Sequence, residues 1–189
     1  LKFIMKYIKL LILFFLLVFY PIKLSASNYI VDQLKEGGKI VMIRHAYAPG
    51  NGDPTNFSIK DCSTQRNLSM EGVKQSKLIG NFFKKNKIPI DIVLSSQWCR
   101  CKDTALYAFE NFQSVSFLNS FYDLRFLKNK DKQIIELKDY IKKWPGKKNL
   151  ILITHYVVIS EILNVSPDSG EVIISDMEFN VIGKLENKL

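Results

Sequence analysis

The only two histidines of this 189-residue chain stand in frames that could do chemistry. Ile43-Arg44-His45-Ala46 closes one apolar run and Ile153-Thr154-His155-Tyr156 closes another. A side chain that can be neutral near pH 7 can either attack phosphorus or hydrogen-bond a phosphoryl oxygen. One histidine beside an apolar run is usually a satisfied structural residue, and two would usually be two such cases. Their surroundings argue otherwise. Residues 39–43 and 150–154 both read as short buried strands, and the turn after a parallel strand is where open α/β sheets place ligands. Both histidines would then face one crevice. A third run, residues 90–95, leads into Ser96-Gln97-Trp98-Cys99-Arg100 and a helical stretch. Arg100 therefore falls in or near a helix's first turn, where free N–H groups and a guanidinium make an anion site.

The elements that must hold these groups can be read from pattern. Ser69 caps a helix running to about Asn86, and Val73, Leu78, Ile79, Phe82 and Phe83 give it a buried face. Further helices are predicted over residues 100–112, over 132–144 ending at Pro145-Gly146, and from His155 to about Leu163. Residues 171–175 and 179–184 read as a closing pair of strands. Strand and helix alternate through most of residues 27–189, which predicts one domain of class α/β: a three-layer α/β/α sandwich around a mostly parallel central sheet.

Arg44-His45 after a strand, then Arg66-Asn67-Leu68-Ser69-Met70-Glu71-Gly72 opening a helix, then Leu94-Ser95-Ser96 with Arg100 and Thr104-Ala105, then Thr154-His155, resembles the histidine phosphatase superfamily, also called phosphoglycerate mutase-like. The match runs in order across about residues 38–185. The resemblance implies a phosphohistidine mechanism with His45 as nucleophile and a phosphate pocket made by Arg44, Arg100 and His155. Those residue types suit the reaction. A phosphoryl group in flight spreads negative charge over its equatorial oxygens, so its site needs fixed positive charge and donors. A neutral imidazole attacking in line splits one difficult displacement into two easier ones. No metal and no cofactor is implied, because the two histidines and three cysteines lack zinc-like spacing and no aspartate cluster resembles a magnesium or calcium loop.

The chain departs from the family at the proton donor. Many members carry a glutamate as general acid just after the third strand, where this sequence has Ser120. Asp53, in the loop Gly50-Asn51-Gly52-Asp53-Pro54 that could fold over the crevice, is the preferred replacement, with Asp61 and Asp123 as the other choices. For each of them an ordinary solvated or turn-capping carboxylate is the commoner reading. Val158 stands where many relatives have a polar residue, which would alter the pocket floor.

Residues 1–26 read as a secretory signal peptide: Lys2, Lys6 and Lys9, an uninterrupted apolar run from Leu10 to Tyr20, then Pro21 and small residues around Ala26. Eleven helical residues span only about 16 Å against a hydrocarbon core of about 30 Å, which disfavours a transmembrane helix. Membrane contact is expected only through this segment if it stays uncleaved. The formal charge of +9 falls to about +5 without its four lysines. The pairs Lys84-Lys85, Lys142-Lys143 and Lys147-Lys148 lie near predicted helix ends, where cations complement exposed carbonyls. No nucleic-acid-binding pattern accompanies them. The expected partner is a phosphorylated small molecule or envelope component, met in the periplasm or otherwise outside the cytoplasm. Export would also let Cys62 pair with either Cys99 or Cys101, tying the loop after the first strand to the turn before the second helix. A catalytic cysteine is the weaker idea, since both histidines already have a role.

Three function classes follow: an exported phosphohydrolase, a phosphoglycerate mutase-like phosphotransferase, and a catalytically weak phosphate-binding module without a working acid.

Overall fold

A computed structural model describes residues 26–185, so the proposed signal segment lies, except for Ala26, outside the described residues. Helix α1 (Ala26–Glu36) precedes strand β1 (Ile40–Arg44). After a long loop come α2 (Met70–Lys85), β2 (Ile90–Ser95), α3 (Cys99–Phe109) and the short β3 (Gln113–Ser114). The chain continues through α4 (Leu124–Leu127), α5 (Lys130–Lys143), β4 (Asn149–Thr154), α6 (Tyr156–Leu163), β5 (Val172–Ser175) and β6 (Val181–Leu185).

The strands form one sheet in the order β3-β2-β4-β1-β5-β6. Pairings among β1, β4, β2 and β3 are parallel, and β5 and β6 join antiparallel. Every residue of β4 is buried, as a central strand covered on both faces demands. On one face, Ile30 and Leu34 of α1, Ile79 and Phe83 of α2 and Ala105 of α3 pack over Val41, Ile43, Ile151 and Ile153. On the other, Leu137 and Ile141 of α5 and Val158 and Ile159 of α6 cover Ile40, Met42, Leu150 and Leu152. This is the α/β/α sandwich with a mostly parallel sheet that the alternating pattern predicts.

The differences are local. Helix α1 has no counterpart in the sequence reading. The closing strands are shorter than predicted, starting at Val172 and Val181, and the helix over Arg100 stops at Phe109 rather than Phe112. In α2, Ser69 does cap, accepting from the Gly72 N–H. The buried stripe, however, runs through Gly72, Ser76, Ile79 and Phe83, and Leu78 is exposed. The reason is close approach: a side chain at Gly72 would collide with the Tyr47 carbonyl, and one at Gly80 with the backbone of Ala108 in α3. Small residues act together with Ile79 and Phe83 in setting the orientation of α2.

Candidate functional site

Backbone pairing continues one residue past two strand ends. The His45 N–H donates to the Thr154 carbonyl at 2.9 Å, and the Ser96 N–H donates to the Ile153 carbonyl at 2.9 Å. Gly170, from the turn before β5, donates to the carbonyls of both Arg44 and His45 at 3.1 and 3.2 Å. His45, Ser96 and His155 are thereby set side by side at the carboxyl edge of the sheet, with the two imidazole centroids 5.4 Å apart.

His45 is held in one tautomer. Its Nδ1 lies 2.8 Å from the Ala46 carbonyl, which can only accept, so Nδ1 carries the proton and Nε2 presents a lone pair. Arg100 Nε donates to that lone pair at 3.2 Å. Ala46 is itself fixed, because its N–H donates to Thr104 Oγ1 at 3.0 Å. The Thr104 hydroxyl in turn donates to the Arg100 carbonyl at 2.7 Å. Burial, followed by the charge of Arg100, holds the His45 imidazole well below the usual histidine range. A neutral ring with an unprotonated Nε2 is the state a phosphorus nucleophile requires.

Three guanidinium groups surround it. Arg44 Nη1 donates to the Pro167 carbonyl at 2.9 Å, and its guanidinium lies 5.5 Å from the Tyr156 ring centre. Arg44 Nε is buried with no acceptor. Leaving such a donor unpaired costs about 1–3 kcal/mol. Arg66 donates through Nε to Gly52 at 2.9 Å and through Nη1 to Ala48, strapping down the loop after β1 while lining the same pocket. Arg66 stands within the helix-opening motif, and nothing local in that motif marks it as a site residue. The cavity these groups enclose has a volume of about 130 Å³ and is lined by all five predicted residues, Arg44, His45, Asp53, Arg100 and His155.

Asp53 enters the pocket in an unexpected capacity. Its Oδ1 accepts from Arg100 Nη1 at 2.7 Å and its Oδ2 accepts from Nη2 at 3.2 Å. Trp98 Nε1 and the Arg66 N–H donate to the same carboxylate at 2.9 and 3.2 Å. Burial alone would raise the Asp53 pKa, but these donors and the Arg100 charge outweigh it, and the net shift is downward. Such a carboxylate is ionised at neutral pH and has no proton to give. Asp123 also lines the pocket, yet it caps α4 and pairs with Arg125, whose hydrogen bond lowers its pKa. Asp61 is exposed, bonds Ser63 and does not line the pocket. Ser120 does line it, where the resemblance implies a glutamate.

Cys62 and Cys99 are joined in a disulfide, which resolves the choice of partner. Cys101 is free, fully buried and pushed up to about 12 by that burial, so it is a thiol and not a nucleophile. Val158 faces the core beneath the sheet and not the pocket, which corrects the expectation that it shapes the pocket floor. Among the described residues no group of three His, Cys, Asp or Glu side chains is placed to hold a metal ion.

No family model matches the chain. No curated protein matches its sequence either. Solved structures do match in fold. The protein histidine phosphatase SixA bound to tungstate is 16% identical, with 79% of this chain and 97% of that one covered and a TM-score of 0.55. A phosphoserine phosphatase variant from Entamoeba histolytica bound to phosphoserine is 15% identical, with 79% and 98% covered and a TM-score of 0.56. A mycobacterial glucosyl-3-phosphoglycerate phosphatase bound to VO3 is 13% identical, with 72% and 91% covered and a TM-score of 0.51. The chain shares its fold with these solved structures, consistent with the phosphoglycerate mutase-like fold.

Proposed function

We propose that this protein is an exported, metal-independent histidine phosphatase that cleaves phosphate monoesters or phosphorylated envelope components through a phosphohistidine on His45. One observation carries the reading: a neutral His45, its unprotonated Nε2 met by the Arg100 Nε donor, faces a cavity ringed by Arg44, Arg66 and Arg100. In the first step Nε2 forms a bond to phosphorus as the bond to the leaving group breaks. In the second, water attacks phosphorus, phosphate leaves and His45 recovers its lone pair. The arginines and His155 stabilise the equatorial oxygens in both steps.

Both carboxylates lining the pocket, Asp53 and Asp123, are held ionised by arginine, so proton donation to the leaving group has no carboxylic acid behind it. This favours a second, narrower reading of the substrate. A phosphoryl group on nitrogen, as in the phosphohistidine that the name of SixA implies for that protein, departs from a leaving group that needs no enzyme acid. Aryl phosphates share that property; alkyl phosphates do not. A larger cavity of about 580 Å³ shares Trp98, Ser120 and Phe126 with the phosphate pocket and offers room for a bulky leaving group.

The test is brief labelling with an aryl phosphate, followed by acid and base treatment. The expected adduct is acid-labile and base-stable, and both it and turnover disappear in His45→Ala. An adduct surviving that substitution overturns the assignment. Anion binding with no turnover of any aryl or N-phosphoryl substrate selects the silent phosphate-binding module instead.

A further inference from the structure

His155 meets the pocket with one nitrogen and the protein interior with the other. Its Nε2 lies 2.9 Å from Ser96 Oγ and 3.4 Å from Cys101 Sγ, so Nδ1 is the nitrogen left for the cavity that His155 lines. Which of the two carries the proton can be settled by counting donors outward from the ring.

Asn119 is the anchor of the count. Its Oδ1 lies 2.9 Å from the Gln97 backbone N–H, a group that can only donate, so the amide cannot be flipped. Its Nδ2 donates to Gln97 Oε1 at 2.8 Å, consistent with that orientation. Gln133 on α5 donates to the Asn119 carbonyl at 2.8 Å and pins the residue in place. Asn119 Oδ1 is therefore an acceptor where it meets Ser96 Oγ at 3.1 Å, and the single hydroxyl proton of Ser96 is used there. Ser96 Oγ also accepts from the Trp98 N–H at 3.3 Å. Towards His155 it has only a lone pair to offer. The thiol of Cys101 is equally committed, since its proton points to the Thr154 carbonyl at 3.7 Å. Both neighbours of Nε2 are acceptors, and Nε2 must carry the proton.

We propose that Asn119, acting through Ser96, fixes His155 as its Nε2–H tautomer, so that His155 engages a phosphoryl oxygen through Nδ1 and does so by taking up a proton together with the anion. The inference rests on the phosphoryl-pocket reading and adds two positioning residues to it. The two histidines are thus locked in opposite tautomers: His45 is protonated on Nδ1 with Nε2 bare, and His155 the reverse. In the empty pocket the charged groups facing His155 are Arg100, Arg66 and Arg44, with His45 beside it and the neutral Cys101 behind; burial first, then Arg100, favours the neutral ring. A bound dianion reverses the sign of the local field and makes the proton on Nδ1 favourable, turning a lone pair that would repel the phosphoryl oxygen into a donor.

The probe is sulfate, which carries no proton of its own at neutral pH, so any uptake belongs to the protein. In His45→Ala the chain contains a single histidine, and every imidazole signal is that of His155. Long-range proton–nitrogen correlation near neutral pH should show a protonated Nε2 and a bare Nδ1, with Nδ1 becoming protonated as sulfate is added. Sulfate affinity should fall about tenfold for each pH unit above neutrality, the slope of one linked proton. In the same background Asn119→Leu frees the Ser96 hydroxyl to donate to Nε2, and Ser96→Ala removes one buried oxygen only. Both should shift the resting tautomer towards Nδ1–H and flatten the pH slope. A resting Nδ1–H form in the parent, a tautomer unchanged in both variants, or sulfate bound without proton uptake overturns the proposal. Failure to trap a phosphoryl group on His45 overturns the phosphohistidine reading alone and leaves these signals as they are.

Discussion

Asp53 takes two of the five donor positions of Arg100, and Arg100 Nε then has His45 in front of it. A carboxylate in that place aims the guanidinium as a buttress aims a wall. Asp53→Asn keeps an acceptor but loses the charge and one good fork contact, and kcat/KM should fall by about 10–100-fold, the range for partners that orient a functional group. The loss should be equal on alkyl and aryl phosphates, because leaving-group protonation is not what is removed. A loss confined to alkyl phosphates would restore Asp53 as the acid. The members of the site that were legible in the sequence, His45, Arg44, Arg100 and His155, sit in short frames at strand ends or a helix start, where local pattern carries position. Thr104, Ser96 and Asn119 were not read as site residues, since their roles arise from hydrogen bonds spanning 58, 59 and 23 residues of sequence. Asp53 was legible as a member and misread in protonation, because the residues that set its charge state, Trp98 and Arg100, are brought to it only by the fold.

Two elements are locked where the site depends on them. The Cys62–Cys99 bridge joins the loop carrying Asp53 and Arg66 to the first residue of α3, one position before Arg100, and Gln65 Oε1 reinforces it by accepting from the Cys99 N–H at 2.9 Å. Closing a loop across a separation of 37 residues is worth about 3–4 kcal/mol in the chain-entropy account. Cys62→Ser, or reduction of the wild-type chain, should lower unfolding free energy by up to that amount and raise KM for an aryl phosphate. Denaturation midpoints that ignore reductant would contradict it. The packing of α2 on α3 yields a second prediction. In an open helix Gly→Ala stabilises by up to about 1 kcal/mol. At Gly80 the added methyl meets the Ala108 backbone, so Gly80→Ala should instead destabilise by about 1–3 kcal/mol in guanidinium titrations. Hydrophobic spacing made α2 and most of its buried face readable, with Ile79, Phe82 and Phe83 on the core, but missed Gly72 and Gly80, whose close backbone approach a search for large apolar residues passes over.

For the molecule as a whole, two buried neutral histidines make stability depend on pH. Both folded pKa values lie well below the reference value of 6.5, so as pH falls through 6.5 the unfolded chain binds protons that the folded chain refuses. The folded state therefore loses stability on acidification, by about 2–3 kcal/mol for the pair between about pH 7.5 and pH 5.5. Chemical denaturation at the two pH values checks this, and His155→Asn should remove about half of the difference. A flat profile would mean that at least one ring is charged when folded. The order of the sheet has a kinetic corollary. Strand β1, which ends at the nucleophile, is flanked by β4 and β5, the closest of which begins more than a hundred residues later. During synthesis β1 has no neighbour to pair with until β4 has emerged, and its end is not clamped until Gly170 follows. Assembly of the pocket is consequently a late, long-range event, slow by the usual dependence on contact order, and a nascent chain stalled before that point holds the His45 sequence without its chemistry.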